Sequence, residues 1–256
     1  MRHILVVGIG SGNPEHMTIQ AINALNRADV LFLPTKGAKK AELADVRREV
    51  VARYVTNPES RTVDYAVPVR RTEGQSYMQG VDEWHAAIAE IHEAMFSTEL
   101  GEHGIGAFLV WGDPMLYDST IRILERVGRR GNVAFDYSVI PGITSVQALC
   151  ASHRIPLNLV GQPVAITTGR RLADSFPDIV ETAVVMLDGE QAFQRIEDPD
   201  AMIYWGAYLG TPDEIVISGR LSEVKEKILA TRAEARTRHG WIMDIYLLQK
   251  GADFEE

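Results

Sequence analysis

Apolar and polar positions along this chain come in blocks that change period. Short continuous apolar runs, closed by glycine or proline, read as buried strands: Ile4 to Val7, Val30 to Leu33, Ile105 to Trp111 and Phe135 to Ile140. Thr62 to Val67 alternates and predicts another strand. Helical periods lie between them. Residues 18 to 28 turn Ile22 and Leu25 inward, and the basic stretch 38 to 54 spaces Leu43, Val46, Val50 and Tyr54. Residues 80 to 97 carry Val81, Trp84, Ile88, Ile91 and Met95 on one face. Helices are expected over 119–127 and from Ser145 onward. Further strands at 163–168, 183–187, 201–205, 214–218 and 242–248 alternate with helices near 171–180, 190–196 and 222–238. The class is α/β. Open twisted sheets rarely exceed about ten strands, so two sheets are expected rather than one. The divide falls near Pro141-Gly142, giving an N-terminal α/β domain over 1–141 and a C-terminal one over 142–256.

The first strand runs straight into Gly8-Ile9-Gly10-Ser11-Gly12-Asn13-Pro14. Strand, glycine turn, helix is how an open α/β sheet places a ligand at the carboxyl end of a strand. A small-molecule enzyme built on a parallel sheet is the first expectation. The dinucleotide fingerprint opens its helix inside the glycines. Here Pro14 pushes Asn13 out of the helical region, and Thr18 is the better N-cap. Two later turns share the layout, Gly112-Asp113-Pro114 and Pro141 to Ser145. Asp113, set between glycine and proline, either accepts hydrogen bonds from a ligand or caps its own turn. Thr144 and Ser145 either donate to a ligand carboxylate or cap the next helix. Three such turns in one chain point to a shared cleft.

The net charge of −9 argues against a nucleic-acid or anionic-membrane binder. One cysteine, Cys150, excludes an internal disulfide and a thiolate metal cluster, and fits a cytoplasmic protein. The histidines show no metal-ligand spacing, so no metal is expected. Met1-Arg2-His3 leads directly into a strand, the pattern expected without a leader peptide, and no apolar run reaches the roughly 20 residues of a membrane span.

The turns resemble, in order, the motifs of the tetrapyrrole (corrin/porphyrin) methyltransferases that use S-adenosylmethionine. These are Gly8 to Thr18, Ala28-Asp29-Val30-Leu31, Gly112-Asp113-Pro114-Met115-Leu116-Tyr117, Pro141 to Ser145 and Ile155-Pro156-Leu157. The resemblance implies two α/β domains of the tetrapyrrole methylase type, the active-site cleft between them, and a homodimer. By the same resemblance the donor would meet Ser11, Trp111, Gly112, Asp113, Leu116, Thr144 and Ser145, then Leu187 and Ala207-Tyr208-Leu209-Gly210. Within the family, Phe32 to Gly37, Val185 to Gly189 and Trp205 to Glu214 are similar to the branch that couples methylation to acetate loss in aerobic cobalamin biosynthesis. That branch implies methylation of precorrin-5 at ring carbon 1. Some relatives carry an aspartate, proposed as a proton acceptor, where this chain has Pro34, and many carry Met where it has Leu187.

Acetyl removal adds water to a carbonyl and benefits from a general base and from oxyanion donors. The sequence leaves that base unassigned; Asp188, Tyr117, His85 and His16 are candidates, each with an ordinary core or solvated role as the alternative. A substrate rich in carboxylates calls for local cations in an acidic protein. Lys36, with Lys39 and Lys40, and the pairs Arg70-Arg71 and Arg170-Arg171 follow strand ends and can serve, or can be solvated basic faces. Competing readings are another precorrin or uroporphyrinogen III methylase, a nicotinamide-dependent oxidoreductase, and a non-catalytic tetrapyrrole carrier.

Overall fold

The continuous apolar runs form strands because both faces of the sheet they enter are covered. In the computed structural model, residues 1–35, 41–70, 76–174, 181–198 and 200–250 are described. The chain divides into two units, Met1–Thr144 and Ser145–Glu256. The first holds β1 (Arg2–Gly8), α1 (Ile19–Leu25), β2 (Val30–Thr35), α2 (Ala41–Tyr54), β3 (Arg61–Ala66), α3 (Tyr77–Glu99), β4 (Ile105–Val110), α4 (Thr120–Arg130) and β5 (Phe135–Ile140). Its strands pair in the order β3-β2-β4-β1-β5, all parallel. On one face Leu5, Val7, Leu31, Leu33 and Leu109 pack with Ala21, Leu25 and Val50 of α1 and α2. On the other, Ile4, Val6, Phe32 and Phe108 pack with Ile88 and Phe96 of α3 and Leu124 of α4. The edge strand β3 keeps the polar alternation that made it legible.

Two helix starts follow local chemistry. Thr18 Oγ1 accepts the Ala21 N–H at 3.0 Å, so α1 begins where the cap predicts, after a 3₁₀ turn over Pro14–His16. Ser76 and Gln79 form a reciprocal capping box that starts α3 at Tyr77, before the predicted boundary at 80. The buried stripe of α3 is also rotated: Ile88, His92, Met95 and Phe96 face the core, while Val81, Trp84 and Ile91 are half-buried.

The second unit is built on a mixed sheet. It holds α5 (Ser145–His153), β6 (Val164–Thr168), α6 (Gly169–Asp174), β7 (Thr182–Met186), β8 (Met202–Ala207), β9 (Ile215–Arg220), α7 (Leu221–His239) and β10 (Asp244–Gln249). The order is β6-β7-β10-β8-β9, and only β6 and β7 are parallel. The Tyr208–Glu214 connection is too short for a crossover helix, so β9 returns antiparallel beside β8. The helix expected near 190–196 is a 3₁₀ turn, Ala192–Arg195. Of the helix expected over 171–180, residues 175–180 lie outside the described residues.

A buried ion pair ties α7 to β10. Arg232 Nε meets Asp244 Oδ2 at 2.8 Å, with side chains 7% and 8% exposed. Trp205 Nε1 donates to the same oxygen at 3.1 Å. Removing one partner strands the other charge, at a cost of about 3–5 kcal/mol. Asp244→Ala is therefore expected to lower stability by that amount in urea denaturation. Arg232→Met combined with Asp244→Leu should recover much of the loss.

Candidate active site

The three glycine-bearing turns meet backbone to backbone at the carboxyl ends of β1, β4 and β5. Ile9 N donates to Val110 O at 2.9 Å, and Gly10 and Gly112 exchange both backbone bonds, at 3.3 and 2.8 Å. A Cβ at Gly8 would come within 2.6 Å of Gly142 N and 2.8 Å of Gly112 O. No side chain fits there, which is a packing reason for the glycines beyond their turn geometry. Gly10 and Gly112 also hold φ of 83° and 67°.

Asp113 completes the junction. One carboxylate oxygen accepts Met115 N at 2.8 Å, the turn-capping bond expected of an Asp in this position. The other accepts Gly142 N at 2.8 Å and staples the second turn to the third. Ser11, only 3% exposed, carries a buried Oγ with no hydrogen-bond partner among the described residues. Trp111 and Leu116 are half-buried beside the second turn, and Thr144 is buried at the end of the third. Ser145 is the first residue of α5.

In the second unit, the residues singled out beside a ligand sit at two strand ends. Leu187 directly follows β7 and Tyr208 directly follows β8. Both strands pair antiparallel with β10, so these ends emerge on one edge of the sheet. Leu187 has φ of 54° and Tyr208 of 50°, left-handed conformations that cost a non-glycine residue about 1–3 kcal/mol. Leu187 is nonetheless 68% exposed. Tyr208 is fixed by its hydroxyl bond to Trp241 O at 2.6 Å, while Ala207 and Leu209 are buried beside it and Gly210 N donates to Glu214 at 2.7 Å.

Asp188 anchors the Leu187 turn. Its Oδ2 accepts Ala192 N and the Tyr246 hydroxyl, each at 2.6 Å, and Arg232 donates to its backbone carbonyl at 3.1 Å. Burial, reinforced by Asp188, pushes the Tyr246 phenol far up, so it stays protonated and donates. Asp188 Oδ1 is buried without a partner among the described residues. Of the other acid–base candidates, His85 meets Ser119 Oγ at 2.9 Å, and burial, then Arg126 and Arg122, lower its pKa. Tyr117 follows the second turn with φ of 52°, and burial raises its phenol. His16 closes the 3₁₀ turn against Gly10, its Nδ1 buried and unpartnered among the described residues. His85, Tyr117 and His16 belong to the first unit and Asp188 to the second.

Of the basic candidates, Arg70 is exposed with its guanidinium 4.9 Å from the Tyr77 ring, and Arg170 is exposed on α6. Lys36, Lys39, Lys40 and Arg71 lie outside the described residues. Sequence reasoning missed a further group. Arg47, Tyr65 and His92 line a cavity of about 200 Å³ at the carboxyl end of β2, with Pro34, Tyr117 and Ser119. The available signal was a histidine inside the apolar stripe of α3.

No group of three potential metal ligands occurs among the described residues, and none of their helices is long and apolar enough to cross a membrane. The sequence profile of the Tetrapyrrole (Corrin/Porphyrin) Methylases matches residues 3–225. A precorrin-6A synthase [deacetylating] from Sinorhizobium sp is 77% identical over 256 residues, covering 100% of this chain and 98% of that one. A crystal structure of a cobalamin-synthesis-related protein (CobF) from Corynebacterium diphtheriae superposes with a TM-score of 0.86 at 36% identity, covering 98% of this chain and 100% of that one. A uroporphyrin-III C-methyltransferase from Thermus thermophilus, complexed with S-adenosylhomocysteine, shares the fold with a TM-score of 0.57 at 21% identity, covering 96% and 97% of the two chains.

Two outcomes follow from this geometry. Asp113→Ala leaves the part-buried Met115 and Gly142 N–H groups without this partner, about 1 kcal/mol for each lost bond. Urea denaturation should show that loss, and calorimetry a weaker affinity for S-adenosylhomocysteine. His92 is 2% exposed, and burial pushes its pKa down from 6.5 to about 3. Above pH 6.5 the ring is neutral in both folded and unfolded chains. Between pH 6.5 and about 3 the unfolded chain binds a proton that the folded chain refuses, so stability falls as pH drops. The loss from His92 reaches about 2 kcal/mol at pH 5. His92→Phe should flatten the fall in denaturation midpoint between pH 7.5 and pH 5.

Proposed function

This chain belongs to the tetrapyrrole (corrin/porphyrin) methylase family, and on that premise we propose that it methylates precorrin-5 at ring carbon 1 and releases acetate, giving precorrin-6A. The observation that carries this reading is likeness to a deacetylating synthase along 100% of this chain.

The residues present fit an adenosyl donor. Space remains beside Gly112, where an added Cβ would meet Thr144 Cα at 3.8 Å, Ser11 has an uncommitted buried hydroxyl among the described residues, and two strained turns hold Leu187 and Tyr208 in place. Donor contacts are assigned to Ser11, Trp111, Gly112, Asp113, Leu116, Thr144 and Ser145, and to Leu187, Ala207, Tyr208, Leu209 and Gly210. Bound S-adenosylmethionine supplies an electrophilic methyl on sulfonium sulfur. Much of what the chain adds is alignment, because in-line displacement needs the reacting atoms within about 3–3.5 Å. Asp113 and Asp188 act here as positioning residues, each fixing a turn rather than taking a proton. Acetate loss begins with water adding to the acetyl carbonyl. The bond to the ring then breaks, its electron pair staying with the ring carbon. The adding water gives up a proton and the ring carbon can take one back, and Tyr117, His85 and His16 are the first-unit candidates to move it. Lys36, Arg70 and Arg170 are assigned to the carboxylates of the macrocycle. A cytoplasmic homodimer completes the reading.

The test counts two products. Purified protein with S-adenosylmethionine and enzymatically prepared precorrin-5, without oxygen, should release one acetate per methyl transferred. Methyl transfer without acetate would remove the deacetylating assignment and leave a ring methylase. Arg170→Ala should raise KM for the macrocycle roughly tenfold, the loss of one charge-assisted contact, without weakening S-adenosylhomocysteine binding. A parallel loss of donor affinity would count against the assigned role.

A further inference from the structure

Ser119 is the N-cap residue of α4, yet its side chain makes no capping bond. Asp118 Oδ1 accepts Thr120 N at 2.7 Å instead, which releases the serine hydroxyl from the usual role of that position. Its Oγ lies 2.9 Å from His85 Nε2 on α3. The two helices do not need this bond to stay together. Arg126 of α4 already grips the Asp82 carboxylate of α3 at 2.8 and 3.1 Å, and Arg130 reaches Glu93 at 2.8 Å.

Ser119 also lines the cavity of about 200 Å³. That cavity lies where the first sheet parts. The β2–β4 ladder stops at Phe32–Phe108, whereas β2 goes on pairing with β3 through Thr35–Ala66. Pro34, just past the break, has no N–H to continue a ladder. Open α/β sheets hold their ligands at these carboxyl strand ends. Val67, Ile88, Phe108 and Ile123 give the cavity an apolar wall, and Tyr65 and Tyr117 add phenols that burial keeps protonated. Arg47 and Asp118, which also line it, lie within electrostatic reach of each other. The lining therefore carries both signs. It suits an uncharged acyl group, with a methyl for the wall and a carbonyl for the phenols, whereas a carboxylate would meet Asp118.

A serine hydroxyl becomes a useful nucleophile when a neutral imidazole beside it accepts its proton. Burial, then Arg126 and Arg122, favour neutral His85, while Asp82 and Asp118 lie close enough to stabilise the imidazolium once it forms. A second serine–histidine contact, Ser138 Oγ with His3 Nε2 at 2.9 Å, lies at the amino end of β1, opposite the ligand-bearing edge. We infer that Ser119, activated by His85, is the nucleophile that takes the acetyl group from the macrocycle as an acyl-serine. Its assignment to this substrate rests on the deacetylating function; the reactivity of the pair does not. Ser119 Oγ bonds to the acetyl carbonyl carbon as its proton passes to His85 Nε2. The carbon–carbon bond to the ring breaks, its electron pair stays with the ring carbon, and the imidazolium gives the proton to that carbon. Water then adds to the acyl-serine and gives a proton to His85. The ester C–O bond breaks, Oγ takes that proton back, and acetic acid leaves. Water thus enters at the second step, and the sum is the same hydrolysis.

The probe is p-nitrophenyl acetate, given to the full chain without macrocycle. A burst of nitrophenolate is expected, with an acetyl group on the Ser119 peptide in mass spectrometry. Ser119→Ala should abolish that label. Ser119→Cys keeps a nucleophile in the same place and should take the label, which guards against reading a folding defect as lost chemistry. His85→Gln should slow acylation by about 100-fold. The glutamine amide can still hydrogen-bond to Ser119 but cannot take its proton, so a merely structural bond would leave the rate intact. Ser138→Ala should match the parent protein. No label on residue 119, or equal acylation after His85→Gln, overturns the pair. With precorrin-5 and S-adenosylmethionine, Ser119→Ala should lower acetate release by about 100-fold while S-adenosylhomocysteine affinity holds. Acetate release that survives Ser119→Ala would sink the pair and leave the deacetylating function standing. Acylation of Ser119 by the ester, with no acetate from precorrin-5, would sink that function and leave the pair.

Discussion

The three strand-end turns of the first unit depend on one close backbone contact. Gly8, Gly112 and Gly142 pack without side chains between them, and the Asp113 carboxylate bonds the second turn to the third. The contact is possible only because the three strands are parallel and end together. Parallel strands in turn need helices on both faces, so the two core layers and the turn junction are a single requirement. A glycine changed here would force strand ends apart rather than merely strain a loop.

The second unit solves a different problem with buried charge. Arg232 bridges Asp244 and the carbonyl of Asp188, while Tyr246 holds the Asp188 carboxylate. This network fixes the turn that keeps Leu187 left-handed and exposed. A strained conformation persists only where surrounding bonds over-determine it. The same carboxylate, a candidate base, accepts both bonds that hold the turn.

The two acids differ in how visible they were. The bond from Asp113 to Met115 spans two residues and follows from a Gly-Asp-Pro turn. Its bond to Gly142 spans 29 residues and exists only once two strands lie in register. Arg47 and His92 illustrate the same limit. Each looked like part of an ordinary helix, and only the parting of β2 from β4 gives them a common cavity.

By itself the sequence determined the alternation of strands and helices, the Thr18 cap, the three strand-end turns and the resemblance to tetrapyrrole methylases. All of these are written in contacts a few residues long or in unbroken apolar runs, and such signals survive without knowledge of neighbours. Only the tertiary structure decided the antiparallel pairing of the second sheet, the rotated stripe of α3, the strain at Leu187 and Tyr208, and the cavity beside Pro34. Strand direction there depends on connection length, a buried stripe on the shape of its partner, and a cavity on where a ladder ends. Those are properties of pairs of segments distant in the chain, which no local pattern encodes.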